Sequence, residues 1–157
     1  MFDEGVIEFL HSGCALLVGT LDATGLPNAG RGLGLTVLDA RAGRLRLLVD
    51  ADDAQTIANL QPGALVAVTA ASVRTLRSLQ MKGHVVLVEP ANGADLAKQK
   101  QYSDDFIGDI YRVDGDPLEM LKRWVDHRSV ACVVDVESSF DQTPGPGAGS
   151  QVGGRPS

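Results

Sequence analysis

Asn28-Ala29-Gly30-Arg31-Gly32-Leu33-Gly34-Leu35-Thr36-Val37-Leu38 is an extended run, and its reading decides the fold. Side chains of a strand alternate between its two faces. The spacing therefore predicts Gly30, Gly32 and Gly34 on one face and Ala29, Arg31, Leu33 and Leu35 on the other. A strand face stripped of side chains admits the close approach of a neighbouring backbone or of a flat ligand. Gly30-Arg31-Gly32-Leu33-Gly34 has the look of a dinucleotide-binding loop, but that motif opens a helix, and here it lies inside the strand with no helix after it.

Hairpin chemistry flanks this strand on both sides. Upstream, Val6, Ile7 and Leu10 recur at helical spacing and Gly13 ends that helix. Residues 15–20 then read as a buried strand, and Asp22-Ala23-Thr24-Gly25 is a turn whose Gly25 tolerates positive φ. Downstream, Ala42-Gly43 makes a second hairpin, and in residues 44–49 Leu45, Leu47 and Val49 alternate with Arg44, Arg46 and Leu48. Asp52 or Asp53 caps a short helix that runs to Asn59-Leu60 and stops at Pro62-Gly63. Residues 64–72 and 76–89 are two further strands, the second kinked or bulged at Gly83. Residues 94–127 are acidic and helical, with Asp116-Pro117-Leu118-Glu119 reading as a helix start and Leu118, Leu121, Trp124 and Val125 as its apolar stripe. Residues 130–136 form a last strand. Six strands joined by hairpin-length connections, with helices inserted before the last, predict a mainly β protein of α+β class over residues 1–142: a six-stranded antiparallel barrel with peripheral helices. Residues 143–157 carry five Gly and three Pro, which predicts a tail without regular structure of its own unless it docks on something.

Composition narrows the function. The 157 residues suit one domain, and the formal net charge is −6. Residues 31–82 hold seven basic against four acidic side chains, while residues 89–141 hold six against twelve. A mildly basic barrel inside an acidic chain suits a small anionic ligand better than nucleic acid. No aromatic residue lies between positions 10 and 101, so the strands lack the stacking platforms of single-strand binders. Cys14 and Cys132 begin or interrupt apolar runs and read as buried thiols. No pair of ligand motifs has metal spacing. The absence of an apolar run of membrane-spanning length, and the acidic start Phe2-Asp3-Glu4, lead to the expectation of a cytoplasmic protein without a membrane partner.

Three stretches in order resemble the pyridoxamine 5′-phosphate oxidase-like family, the FMN-binding split barrels. Arg31-Gly32-Leu33-Gly34-Leu35-Thr36, followed by Val37-Leu38-Asp39 and Gly43, is similar to the family's second strand. Leu47-Leu48-Val49-Asp50 through Asn59-Leu60-Gln61-Pro62 is similar to its third strand and following helix, and Arg77-Ser78-Leu79-Gln80-Met81-Lys82-Gly83 to its fifth strand. The ending Phe140-Asp141-Gln142-Thr143-Pro144-Gly145-Pro146 also resembles that of uncharacterised members. The resemblance implies a Greek-key split barrel and a homodimer with FMN at the subunit interface.

It further implies that Arg31 stands where an FMN-phosphate arginine does, with Gly32 and Leu33 beside it, and that Leu48 and Val49 stand where the third strand meets the flavin. Ser78 replaces a cofactor-contacting glutamine. Arg31, Arg77, Ser78, Gln55 and Thr56 are the expected contacts to the ribityl-phosphate end, and the glycine-lined strand the expected room for the ring. Two departures matter: Ala54-Gln55 replaces an Arg-Lys pair that holds phosphate, and Thr36 replaces a lysine. The expected function is thus an FMN-binding oxidoreductase of undetermined small-molecule substrate, other than pyridoxamine 5′-phosphate oxidation. The alternative is a non-catalytic barrel holding heme, F420 or no cofactor, heme requiring His11, His84, His127 or a cysteine as axial ligand.

Overall fold

The computed structural model describes residues 1–123 and 128–154. Helix α1 (Glu4–Leu10) leads into strands β1 (Ala15–Leu21), β2 (Pro27–Asp39) and β3 (Arg44–Asp50). Helix α2 (Ala54–Asn59) then crosses to β4 (Leu65–Ala71) and β5 (Ser78–Pro90); α3 (Gly93–Asp114) and α4 (Leu118–Lys122) precede β6 (Ser129–Asp141) and β7 (Gln151–Gly154). The strands lie in the order β3-β2-β1-β4-β5-β6-β7, and β3 also pairs with β6. Every pairing is antiparallel, so β1 to β6 close into a six-stranded Greek-key barrel with one extra strand at its edge. No helix is long and apolar enough to cross a membrane among the described residues.

The barrel interior is filled by the inward half of each alternation. Val18, Leu35, Leu45, Leu47, Val49, Val68, Met81, Val134 and Val136 are each at most 1% exposed and form one core with Phe9 and Leu10 of α1. Both cysteines are free and buried. At Gly83 the β5–β6 register slips, Lys82 facing Ser138 and Gly83 facing Val136. A Cβ at Gly83 would stand in the Asp135 backbone, so this bulge is open only to glycine.

The glycine run departs from the one-face expectation. A bulge falls between Gly32 and Gly34, which pair with Val49 and Leu48 respectively. An added Cβ at Gly30 would meet Thr56 and Asp53, at Gly32 it would meet Leu16 and Leu47 of the core, and at Gly34 it would meet Leu48 and the Gln99 backbone on the opposite, α3-covered side. Leu35 accordingly sits in the core, and Leu33 packs outside it with Leu48 and Ala131. The room left by these glycines is taken by protein atoms rather than held open for a ring.

Two further expectations are corrected. Part of the tail is ordered: Gly149 N–H donates to Asp141 O, Ala148 N–H to Gly145 O, and β7 then pairs with Ser138, Ser139 and Phe140 of β6. Beyond Asp135, where the β3 pairing ends, the free edge of β6 supplies unpaired backbone to hold a Gly-rich strand. The α4 helix begins at Leu118 with Pro117 at its N-cap and no capping side chain, so Asp116 does not play that part. Of its expected stripe, Leu121 is fully buried and Leu118 is exposed, while Trp124 and Val125 lie outside the described residues.

Candidate functional site

Helix α3 lies across the outside of β2, and its first turn fixes where. Asn92 and Asp95 form a capping box, and Asp95 also receives Arg46 of β3 through two bonds of 2.7 Å. The third arm of Arg46 reaches Glu89 at 2.7 Å. Those bonds, ahead of the burial that opposes them, hold the Asp95 carboxyl below its ordinary range. At the other end of the contact, Gly13 (φ +77°) lets the α1–β1 connection press against the α3 backbone at Tyr102 and Phe106.

Between these anchors a cavity of about 270 Å³ opens between β1, β2 and α3. Its walls are Leu16, Leu33 and Phe106, with Cys14 and Tyr102 deeper and Arg31 and Leu17, both exposed, at its rim. The Arg31 guanidinium makes no hydrogen bond or ion pair with the described residues, whereas Arg44, Arg46, Arg112 and Arg128 are all paired with carboxylates. The Tyr102 hydroxyl is buried and makes no hydrogen bond of good geometry among the described residues. Burial first, and the Cys14 thiol second, push its pKa upward. Burial likewise raises Cys14. Both groups keep their protons at neutral pH, so the cavity offers a cation, a phenol donor and apolar walls, and no general base.

Leu17 also belongs to a second surface. The outward face of β2, β1 and β4 presents Leu17, Leu21 and Leu65, which are 54%, 43% and 56% exposed. Between them runs a row of small residues, Ala29, Gly19 and Ala67, aligned by the strand register. A shallow trough of about 350 Å³ follows that face to Lys82 and Glu137.

The structure divides the residues expected from sequence. Arg31, Gly32 and Leu33 line the cavity together. Leu48 and Val49 pair with Gly34 and Gly32 behind it, and their side chains are buried. Thr36 lies further along β2, paired with Arg46. Gln55 and Thr56 are on α2, at the opposite end of the strand. There the Thr56 hydroxyl donates to Asp53 Oδ2 at 2.6 Å and accepts from Asn28 Nδ2 at 3.0 Å, and Gln55 Nε2 donates to Asn59. Arg77 and Ser78 line a different cavity, of about 220 Å³, with the N-terminus and the tail. Arg77 lies over the Phe9 ring at 4.5 Å, and the Ser78 hydroxyl donates to Leu76 O. Cys14, Leu17, Tyr102, Ser103 and Phe106 were not anticipated. The aromatic pair at i, i+4 on α3 was legible as a helix stripe, but nothing local told which strands it covers.

Each described histidine has one ring nitrogen engaged. His11 Nε2 accepts Val37 N–H at 2.9 Å, and burial lowers its pKa, with Lys98 adding to the effect. His84 pairs with Glu137 at 3.0 Å. Burial raises Cys132 to about 12. His127 lies outside the described residues. No cluster of metal-ligating side chains occurs among the described residues.

No protein-family model matches the sequence, and no curated protein matches it. Solved structures do match. HupZ of Group A Streptococcus superposes with a TM-score of 0.58 at 16% identity, over 95% of this chain and 100% of that one. A candidate pyridoxamine 5′-phosphate oxidase from Lactobacillus delbrueckii gives 0.53 at 18%, over 88% and 93%. An F420 reductase gives 0.51 at 20%, over 88% and 98%. The chain therefore has the split-barrel fold of the pyridoxamine 5′-phosphate oxidase-like proteins.

Tested against FMN, the cavity supplies apolar walls and one cation, Arg31. The cavity suits an apolar ring with a polar edge, but the start of α2 holds Asp53 where a phosphate cradle would need cations.

Proposed function

We propose that this chain is a homodimeric flavin-binding oxidoreductase that takes the FMN ring in the cavity between β1, β2 and α3. The observation that carries the reading is Arg31, a cation without a partner among the described residues, at the rim of an apolar cavity that continues into an exposed leucine face. Ligand sites for molecules of this size usually occupy ~300–1,000 Å³. The 270 Å³ cavity of one chain falls short of that range, and a second copy docked on the Leu17 face completes the enclosure. Leu16, Leu33 and Phe106 exclude water from the ring, Tyr102 donates a hydrogen bond, and Arg31 at the rim offers its cation to the ribityl-phosphate end. A bound flavin supplies hydride transfer, the protein supplying orientation and electrostatics. Because Cys14 and Tyr102 both stay protonated, the cavity's own groups act as donors and walls rather than as bases.

The first test is the visible spectrum of the purified protein, followed by FMN titration read by quenching of flavin fluorescence and by sedimentation. A flavin spectrum or saturable quenching, in a dimer, supports the reading, and Arg31→Met is expected to weaken binding about tenfold. F420 and heme form parallel arms, the F420 reductase sharing this fold. A colourless monomer that leaves FMN fluorescence unchanged overturns the reading.

A further inference from the structure

We propose that the chain carries a second ligand site, where β5, β6 and β7 meet the N-terminal segment, and that it takes a small zwitterion with an apolar side chain, an aliphatic α-amino acid. Strand register assembles this site. Leu79 of β5 lies opposite Asp141 of β6, and Met81 lies opposite Ser139. Residues opposite each other in a ladder share a face, as do residues two apart. Ser139, Asp141 and Leu79 therefore turn to one side, and Arg77, two before Leu79, joins them in lining the cavity of about 220 Å³. Phe2 and Leu79, both buried, give it apolar walls, and Val152 of β7 stands exposed beside them.

Ser139 is the observation that points to a ligand. It is 3% exposed, and its hydroxyl has no hydrogen-bond partner among the described residues. Gly153 of β7 pairs with it, so the neighbouring strand lays no side chain over that hydroxyl. A buried hydroxyl left unpaired is costly, and a bonding group in the cavity removes the cost. Two charges face the same space. The Arg77 guanidinium lies over the Phe9 ring and makes one long bond, from Nη1 to Gly5 O at 3.5 Å. Asp141 Oδ1 accepts the Thr143 N–H at 2.8 Å, and no ion pair joins the carboxylate to Arg77. Asp3, which caps α1 through the Val6 N–H, adds a second acid. A simple anion is opposed here by the acids and a simple amine by the arginine, whereas a zwitterion satisfies both. Its carboxylate meets Arg77 and the Ser139 hydroxyl, its ammonium meets Asp141, and its side chain meets Phe2, Leu79 and Val152. The volume lies below the ~300–1,000 Å³ of drug-sized ligands, which suits a molecule as small as an amino acid.

The test titrates the purified full chain with L-leucine by calorimetry and by thermal melting. Saturable binding is expected, with the melting temperature raised by about 3–6 °C at about tenfold excess over the dissociation constant. Two probes each lack one charge, 4-methylpentanoate the ammonium and 3-methylbutylamine the carboxylate, and both are expected to bind about tenfold more weakly or worse. Ser139→Ala is expected to weaken leucine about fivefold or more while the unliganded chain melts no lower than wild type. Arg77→Met is expected to weaken leucine about tenfold. No binding of leucine overturns the proposal, and either single-charge probe binding as tightly as leucine overturns the zwitterion. Ser139→Ala that binds leucine like wild type, or that melts lower when unliganded, shows a structural hydroxyl and overturns the site.

Discussion

Arg46→Met tests the device that places α3, and with it one wall of the cavity. Arg46 and Asp95 are 14% and 9% exposed as side chains and share two bonds of 2.7 Å. At a charge separation of about 4 Å and an effective dielectric constant of about 20, such a pair attracts by about 4 kcal/mol. Methionine keeps the volume but leaves the Asp95 carboxylate buried without its counter-charge, a change that costs about 3–5 kcal/mol in comparable sites. Taking about 3 kcal/mol, and about 2–4 °C per kcal/mol for a domain of this size, the melting temperature falls by about 6–12 °C. The double variant Arg46→Met/Asp95→Asn removes the stranded charge and regains at least half of the loss. The pH dependence has a definite sign. The folded-state pKa of Asp95 is depressed by Arg46, so the stabilisation is present above the ordinary carboxylate range and disappears as pH falls through the native pKa. The gap between wild type and Arg46→Met therefore narrows in acid. Thermal and urea melts at pH 7 and at pH 3–4 measure all three quantities. A loss below 1 kcal/mol at pH 7, or a double variant no better than the single one, refutes the reasoning.

Three other outcomes are expected. Gly83→Ala forces its methyl into the Asp135 backbone, and overpacking of this kind costs about 1–3 kcal/mol, read as a lowered urea midpoint with unchanged slope; an unchanged midpoint refutes the bulge argument. Leu17→Asp, on the exposed apolar face, is expected to turn the proposed dimer into a monomer by sedimentation without lowering monomer stability by more than about 0.5 kcal/mol. Finally, His11 accepts Val37 N–H as the neutral imidazole, and its folded-state pKa is depressed from 6.5. The unfolded chain binds that proton first, so stability falls as pH drops below about 6.5, and His11→Gln flattens that slope in melts from pH 8 to 5.

Most of the barrel was legible because its strands are half-buried and short-connected. Leu45, Leu47 and Val49 alternate with Arg44 and Arg46, and that alternation survives intact in β3. The turn at Asp22–Gly25 was likewise readable, since Asp22 Oδ1 receives both backbone N–H groups of Thr24 and Leu26 and Gly25 takes φ +84°. The glycine run was read wrongly beyond Gly32 for a definable reason. Period two holds only within an unbroken ladder, and a bulge transfers every later side chain to the other face. Nothing in Gly32-Leu33-Gly34 distinguishes a regular strand from a bulged one. The tail was misjudged because Gly and Pro weaken intrinsic structure, whereas β7 is held by pairing to Ser138, Ser139 and Phe140, a tertiary effect.

The candidate site shows the same boundary between local and distant information. Arg31 stood out in sequence because it is a cation in an otherwise small and apolar strand, and the structure leaves it without a partner among the described residues. What gives it a cavity to serve is α3, and α3 is positioned by Arg46, fifteen residues further along, gripping Asp95 at 2.7 Å. Such a grip is invisible to periodicity: Arg46 reads simply as the polar phase of β3, and Asp95 as one more acid in an acidic segment. The resemblance supplied a phosphate site by position, but at α2 the local chemistry answers with Asp53 and Thr56 bonded to each other. Position along a shared fold thus carries over the barrel, while the charge available to any ligand is decided by the few side chains this sequence puts there.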